Sequence, residues 1–132
     1  MLRKFTVRTK GRSDFTDITG NVRDVLRESG IADGVCQVYI PHTTAGVTIN
    51  ENADPDVRTD MIGLLDKLIP WSAGYLHMEG NSAAHIKASM MGFSVMAPVE
   101  NGRLVLGTWQ CIYFCEFDGP RTRTVYVNIL GA

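Results

Sequence analysis

Residues 93–130 read FSVMAPVENGRLVLGTWQCIYFCEFDGPRTRTVYVNIL, and this stretch decides the fold class. Runs rich in β-branched and aromatic residues cover Phe93 to Val99, Arg103 into Trp109, Trp109 to Phe117 and Arg121 to Leu130, which predicts three or four strands. Asn101-Gly102 is the dipeptide that a two-residue hairpin turn selects. Asp118-Gly119-Pro120 turns the chain again. Adjacent strands beside few helices predict antiparallel pairing, not a wound parallel sheet.

Working outward from this stretch adds the remaining elements. Leu2 to Thr9 reads as a first strand. Ile18, Val22, Val25 and Leu26 recur at helical spacing, with Thr16 or Asp17 as cap and Gly30 as the helix stop. Gly34 to Ile40 reads as a strand that Pro41 ends, and Val47 to Asn50 as a short strand. The second helix starts at Asp54-Pro55, carries the stripe Val57, Met61, Leu64, Leu65 and Leu68, and stops at Pro70. A short helix spans Ser82 to Met91. The expectation is one domain over residues 1–132: an α+β fold of mostly antiparallel sheets, two longer helices and one short helix. The two longer helices are expected to cover one sheet face. Other apolar strand positions then need a partner, either a second sheet or another subunit.

Composition narrows the function classes. At 132 residues the chain is too short for a TIM barrel and long enough to fold without disulfides. Thirteen Lys+Arg against fourteen Asp+Glu leave a formal charge of -1, which argues against a dedicated nucleic-acid or anionic-membrane binder. No apolar run reaches the ~18 residues of a membrane span. An odd set of three cysteines, Cys36, Cys111 and Cys115, beside an N-terminus of interleaved charges predicts reduced thiols in a cytoplasmic protein. Cys111 and Cys115 share a strand face and read as small core residues.

The chemistry-bearing residues fall into three groups. His42, His77 and His85 all lie in or beside polar irregular segments with small neighbours. Brought together, three imidazoles bind a divalent metal, zinc before nickel or iron, with one position open. Left apart, they are solvated loop residues. Thr43 and Thr44, next to His42, offer hydroxyls to a phosphate. The second group is Asn50 and Glu51, where Glu51 is either a general base, an orienting partner for a histidine, or a charge flanking the second helix. The third lies at the chain's last turn. Gln110 and Glu116 share a strand face, and Arg121 and Arg123 follow the turn. These arginines either pair across a hairpin with Asp118 and Glu116, or hold a phosphate. Free N–H groups at helix starts near Ser82 and Asp54 favour an anion as well.

Taken together, HTTAGVTINE at 42–51, GNSAAHIK at 80–87, GRL at 102–104, LGTWQ at 106–110 and EFDGPRTR at 116–123 resemble the YjbQ-like family, described as secondary thiamine-phosphate synthase-type proteins. The resemblance runs along nearly the whole chain. It implies a β-sandwich with helices and a homotrimer packed around a threefold axis. It also implies a weak or secondary thiamine phosphate synthase activity, which joins a pyrimidine diphosphate to a thiazole phosphate. The implied polar cluster is His42, Asn50, Glu51, His77, His85, Gln110, Glu116 and Arg121, with a metal at the histidines. The expected function is a metal-assisted enzyme acting on a small phosphorylated metabolite. The alternatives are a metal-dependent hydrolase and a non-catalytic trimer that binds phosphate or metal.

Overall fold

The computed structural model describes residues 1–132. Strands are β1 (Leu2–Arg8), β2 (Asp14–Asp17), β3 (Gly34–Tyr39), β4 (Ala45–Glu51), β5 (Ser94–Glu100), β6 (Arg103–Leu104), β7 (Gln110–Glu116) and β8 (Thr122–Gly131). Helices are α1 (Thr19–Ser29), α2 (Pro55–Leu68) and α3 (Ser82–Met91). Every strand pairing is antiparallel. The strands form a five-stranded sheet ordered β1-β8-β3-β5-β6 and a three-stranded sheet ordered β2-β7-β4. The second sheet is the partner that the apolar strand positions required, so the α+β expectation holds.

Period-two alternation builds the two cores. In β8, Val125, Val127 and Ile129 point inward, and in β7 so do Ile112 and Phe114; with α1's Val22, Val25 and Leu26 they form the core between the sheets. The other face of β7 presents Cys111, Tyr113 and Cys115, which join Phe15, Phe117, Ala84 and Ala88 in a second core beneath α2 and α3. β7 is thus buried on both faces. Its two cysteines are buried free thiols, as core residues should be, and burial raises the pKa of each. Cys36 is likewise buried, and no disulfide joins the three cysteines.

Helix placement differs from expectation. The short helix α3, not α1, shares the covered face with α2. Small Ala84 and Ala88 let it lie directly on the sheet, whereas α1 closes the interior between the sheets. α2 sits higher: Asp54 caps it through the Asp56 N–H at 2.9 Å, but none of its residues is fully buried. Met61, Ile62 and Leu65 pack inward, while Leu64 and Leu68 of the expected stripe are more than half exposed. The buried Lys87 ammonium clamps α3 to Asp66 of α2. The short strand β2 was not expected, because Gly11 to Asp17 is polar apart from Phe15. Asn101 and Gly102 both take positive φ in the β5–β6 turn, as that turn type demands.

The last turn is not a hairpin. β7 and β8 belong to different sheets, so Asp118 and Glu116 do not face Arg121 and Arg123 as cross-strand neighbours. The chain instead crosses from one layer to the other at Asp118–Arg121.

Gly46 fixes how α3 docks. The Val47 N–H donates to the Gly92 carbonyl at 3.1 Å, and a Cβ on Gly46 would lie 2.6 Å from that carbonyl oxygen. Backbone cannot yield as a side chain would. Gly46→Ala is therefore expected to destabilise the fold by about 1–3 kcal/mol, measured by urea unfolding, with Gly63→Ala, where nothing lies within 4 Å, as the neutral comparison.

Candidate functional site

One end of the sandwich carries a cleft of about 480 Å³. The loop after β3 supplies His42, Thr43 and Thr44; the segment before α3 supplies His77, Glu79 and Asn81; α3 supplies His85; the sheet crossing supplies Asp118 and Arg121; β8 supplies Arg123. Apart from Pro41, every lining residue is polar or charged. Residues as far apart in sequence as Pro41 and Arg123 meet here because the strand ends of both sheets converge.

The cleft floor is an ion pair held between the sheets. Glu116 points inward from β7 and is fully buried; Arg123 points inward from β8 and is nearly so. Arg123 Nε donates to Glu116 Oε1 at 2.8 Å, and its Nη2 donates to Glu116 Oε2 and, at 2.8 Å, to Thr44 Oγ1. Glu116 also accepts from the Thr9 hydroxyl at 2.8 Å and from the backbone N–H groups of Phe117 and Asp118. Burial alone would raise the Glu116 pKa. The Arg123, Asp118 and Thr9 hydrogen bonds and the Arg123 charge outweigh it, and the pKa ends below the ordinary value. Arg123 Nη1 makes no protein hydrogen bond, and the residue lines the cleft. Glu116 is thus fully occupied in fixing Arg123.

A second network sets the cleft wall. Asp118 Oδ2 accepts from Arg121 Nη2 at 3.0 Å and from Asn81 Nδ2 at 2.9 Å, while Arg121 Nε donates to the Asp118 carbonyl at 2.7 Å. Arg121 is half exposed, and Asp118 holds its guanidinium at the cleft rim. Asn81 occupies the position before α3, and its Oδ1 is buried without a protein partner. Sequence reading passed over Asn81 as one small polar neighbour among several; its place before an alanine-rich helix was the available signal.

The histidines share the cleft but not one geometry. His77 and His85 stack edge to face with ring centres 5.4 Å apart. A turn closed by the Gly80 N–H on the His77 carbonyl folds His77 back over α3. His42 differs. Its Nε2 accepts the Thr124 N–H at 2.9 Å, which leaves the ring proton on Nδ1. Burial first, and the Arg123 charge second, lower its pKa, so it stays neutral at physiological pH. With Nε2 engaged by the Thr124 N–H, His42 completes no tripod, and no group of three or more His, Cys, Asp or Glu residues is arranged to hold a metal ion.

Three expected residues lie elsewhere. Glu51 pairs with Gln110 and Asn50 with Cys111 at one end of the β4–β7 ladder, whereas Ala45 pairs with Glu116 at the cleft end. Six residues of strand, roughly 20 Å, separate the two. Gln110 Oε1 accepts the Gly107 N–H at 2.8 Å, Asn50 Oδ1 accepts the Glu51 N–H at 2.7 Å, and the Glu51 carbonyl accepts from the Tyr113 hydroxyl at 3.0 Å. Within one chain these contacts pin loops and the strand end. Of the two helix starts, only that of α3 borders the cleft.

A family model described as UPF0047 protein YjbQ-like matches residues 3–132. The UPF0047 protein YugU of Bacillus subtilis is 55% identical over 132 residues, covering 99% of this chain and 100% of that one. The UPF0047 protein MJ1081 of Methanocaldococcus jannaschii is 50% identical over 131 residues, covering 99% and 95%. The crystal structure of an uncharacterised conserved yjbq/upf0047 protein from Clostridium acetobutylicum matches with a TM-score of 0.96 at 55% identity, covering 97% and 99%. A YbjQ-like protein of unknown function from Sulfolobus solfataricus matches with a TM-score of 0.96 at 32% identity, covering 100% and 97%.

The Glu116–Arg123 pair yields a stability prediction. Glu116→Ala strands a guanidinium between the sheets and is expected to cost about 3–5 kcal/mol in chemical unfolding. Because the folded pKa of Glu116 is depressed, its contribution is complete above the unfolded value of ~4.3 and is lost as pH falls through the folded one. Glu116→Gln should flatten that acid limb of the stability profile.

Proposed function

The chain belongs to the YjbQ-like UPF0047 family, and on that premise we propose that its polar cleft binds a small phosphorylated metabolite and acts on it by proton transfer from the histidines. The observation that carries this reading is Arg123: a buried guanidinium, locked by Glu116 and Thr44, with one amino group left over at the cleft. A rigid, pre-oriented donor suits a phosphate oxygen. Arg121 and the Thr43 hydroxyl add contacts from the rim. Asp118 and Glu116 offset both arginine charges, so directed hydrogen bonds, not bulk positive potential, supply the affinity. His42 offers its Nδ1–H as a neutral donor. His77 and His85 are the groups that exchange protons with a leaving oxygen.

A divalent metal is part of this proposal in reduced form. Zinc would rest on His77 and His85, and it would polarise a phosphoryl oxygen when bound. Two imidazoles fall short of the three protein ligands usual at catalytic zinc, so no step here depends on it. A cleft of this volume accommodates one mid-sized metabolite. Thiamine phosphate synthesis needs two substrates together and is proposed only as a weak secondary activity. A homotrimer completes the proposal. Tyr39, Met96 and Leu130 stand exposed on the uncovered face of the five-stranded sheet, and Leu76 and Met78 beside His77 are 98% and 100% exposed. Such apolar surface is rarely left bare.

Titration with inorganic pyrophosphate should give saturable binding that Arg121→Gln weakens about tenfold, ~1.4 kcal/mol. Absence of any binding would refute the phosphate reading. In assays with phosphate monoesters and with the two thiamine precursors, His85→Ala should retain pyrophosphate binding and lose turnover. Light scattering should give three times the chain mass of 14.6 kDa.

A further inference from the structure

A second cavity lies at the other end of the sandwich. It has a volume of about 650 Å³ and is bounded by α1, the Gly30–Ala32 turn and the β5–β6 turn. Its floor is apolar: Leu26 is buried in the inter-sheet core, and Ile31 and Leu104 pack against that core. Its rim carries Arg23, Arg27 and Arg103, and no carboxylate lines it. The wall is preformed, because the Gly102 N–H donates to the Ala32 carbonyl at 2.8 Å and the Asn101 N–H to Asp33 Oδ1 at 3.2 Å.

The arginines have little structural reason to be there. Arg23 and Arg27 stand at i,i+4 on α1, where like charges repel. Only Arg27 has an ion-pair partner, Asp24, outside the cavity. Arg103 is the register partner of Glu100, yet the two form no ion pair, and Arg103 lines the cavity instead. Two guanidinium groups without partners over a hydrocarbon floor match a ligand that has one anionic head and an apolar body.

We infer that this cavity is a second ligand site, separate from the polar cleft, that takes a small organic anion with a carboxylate or phosphate head and an apolar body. The volume falls within the range of small-molecule sites, and the floor excludes a fully hydrated ion such as free phosphate. Eight strand residues, Arg123 to Leu130 of β8, separate it from the cleft, a span of roughly 25 Å. The two cavities share no lining residue.

The test uses the full chain with benzoate and phenyl phosphate as probes, followed by amide NMR. The expected result is saturable shifts at Gly30, Ala32, Gly102 and Leu104, weakened about tenfold in Arg23→Gln/Arg103→Gln and unchanged in Arg121→Gln. Neutral benzamide should bind at least tenfold more weakly than benzoate. A preference for one probe identifies the head group. The proposal is overturned if neither probe shifts these amides, if the double variant binds as the parent does, or if benzamide matches benzoate.

Discussion

A carboxylate and a guanidinium, shut between two sheets, determine what one end of this molecule can do. Glu116 comes from the three-stranded layer and Arg123 from the five-stranded one, so their contact ties the layers where the apolar core runs out. Replacing both with hydrocarbon would keep the layers together. What hydrocarbon would not do is hold a cationic donor rigidly at the base of a cleft. Thr9, Thr44 and two backbone amides complete the shell around the pair, so each of its hydrogen bonds helps aim one amino group.

The same end gathers the imidazoles, and they divide the work. Thr124 fixes His42 as a neutral ring of one tautomer, whereas the rings of His77 and His85 meet edge to face. The proposed handling of a charged leaving group rests on this placing of a fixed donor beside two further imidazoles. The opposite end presents a contrasting chemistry, with cations over hydrocarbon, and the long strand β8 runs between the two ends.

Much of this was legible in the sequence because local rules agreed with the final packing. Asp54-Pro55 started α2, Asn101-Gly102 made its turn, and alternation in residues 111–117 placed two sets of side chains on two faces. The three histidines were also legible as neighbours of small residues. What failed were inferences about distance along the chain. Glu116 and Arg123 do pair, and so do Asp118 and Arg121, but not across a hairpin, because the turn between them changes layers. The family resemblance implied one polar cluster holding Glu51 and Gln110 with His42, yet strand β4 carries Glu51, and with it its register partner Gln110, to the far end of the ladder. The α2 stripe promised burial that α3 took instead, since alanines at 84 and 88 permit a closer approach than leucines do. Single-chain periodicity reports which face is apolar, not what covers it.

The double burial of β7 makes that strand the least forgiving piece of the chain. Adding or deleting one residue there would turn the Cys111, Tyr113 and Cys115 side chains into the space shaped for Ile112 and Phe114, and the reverse on the other side, scrambling both interiors in one event. Length variation among relatives should accordingly gather in the segments before and after it, and laboratory libraries that vary loop length will find viable members only when those seven residues keep their frame.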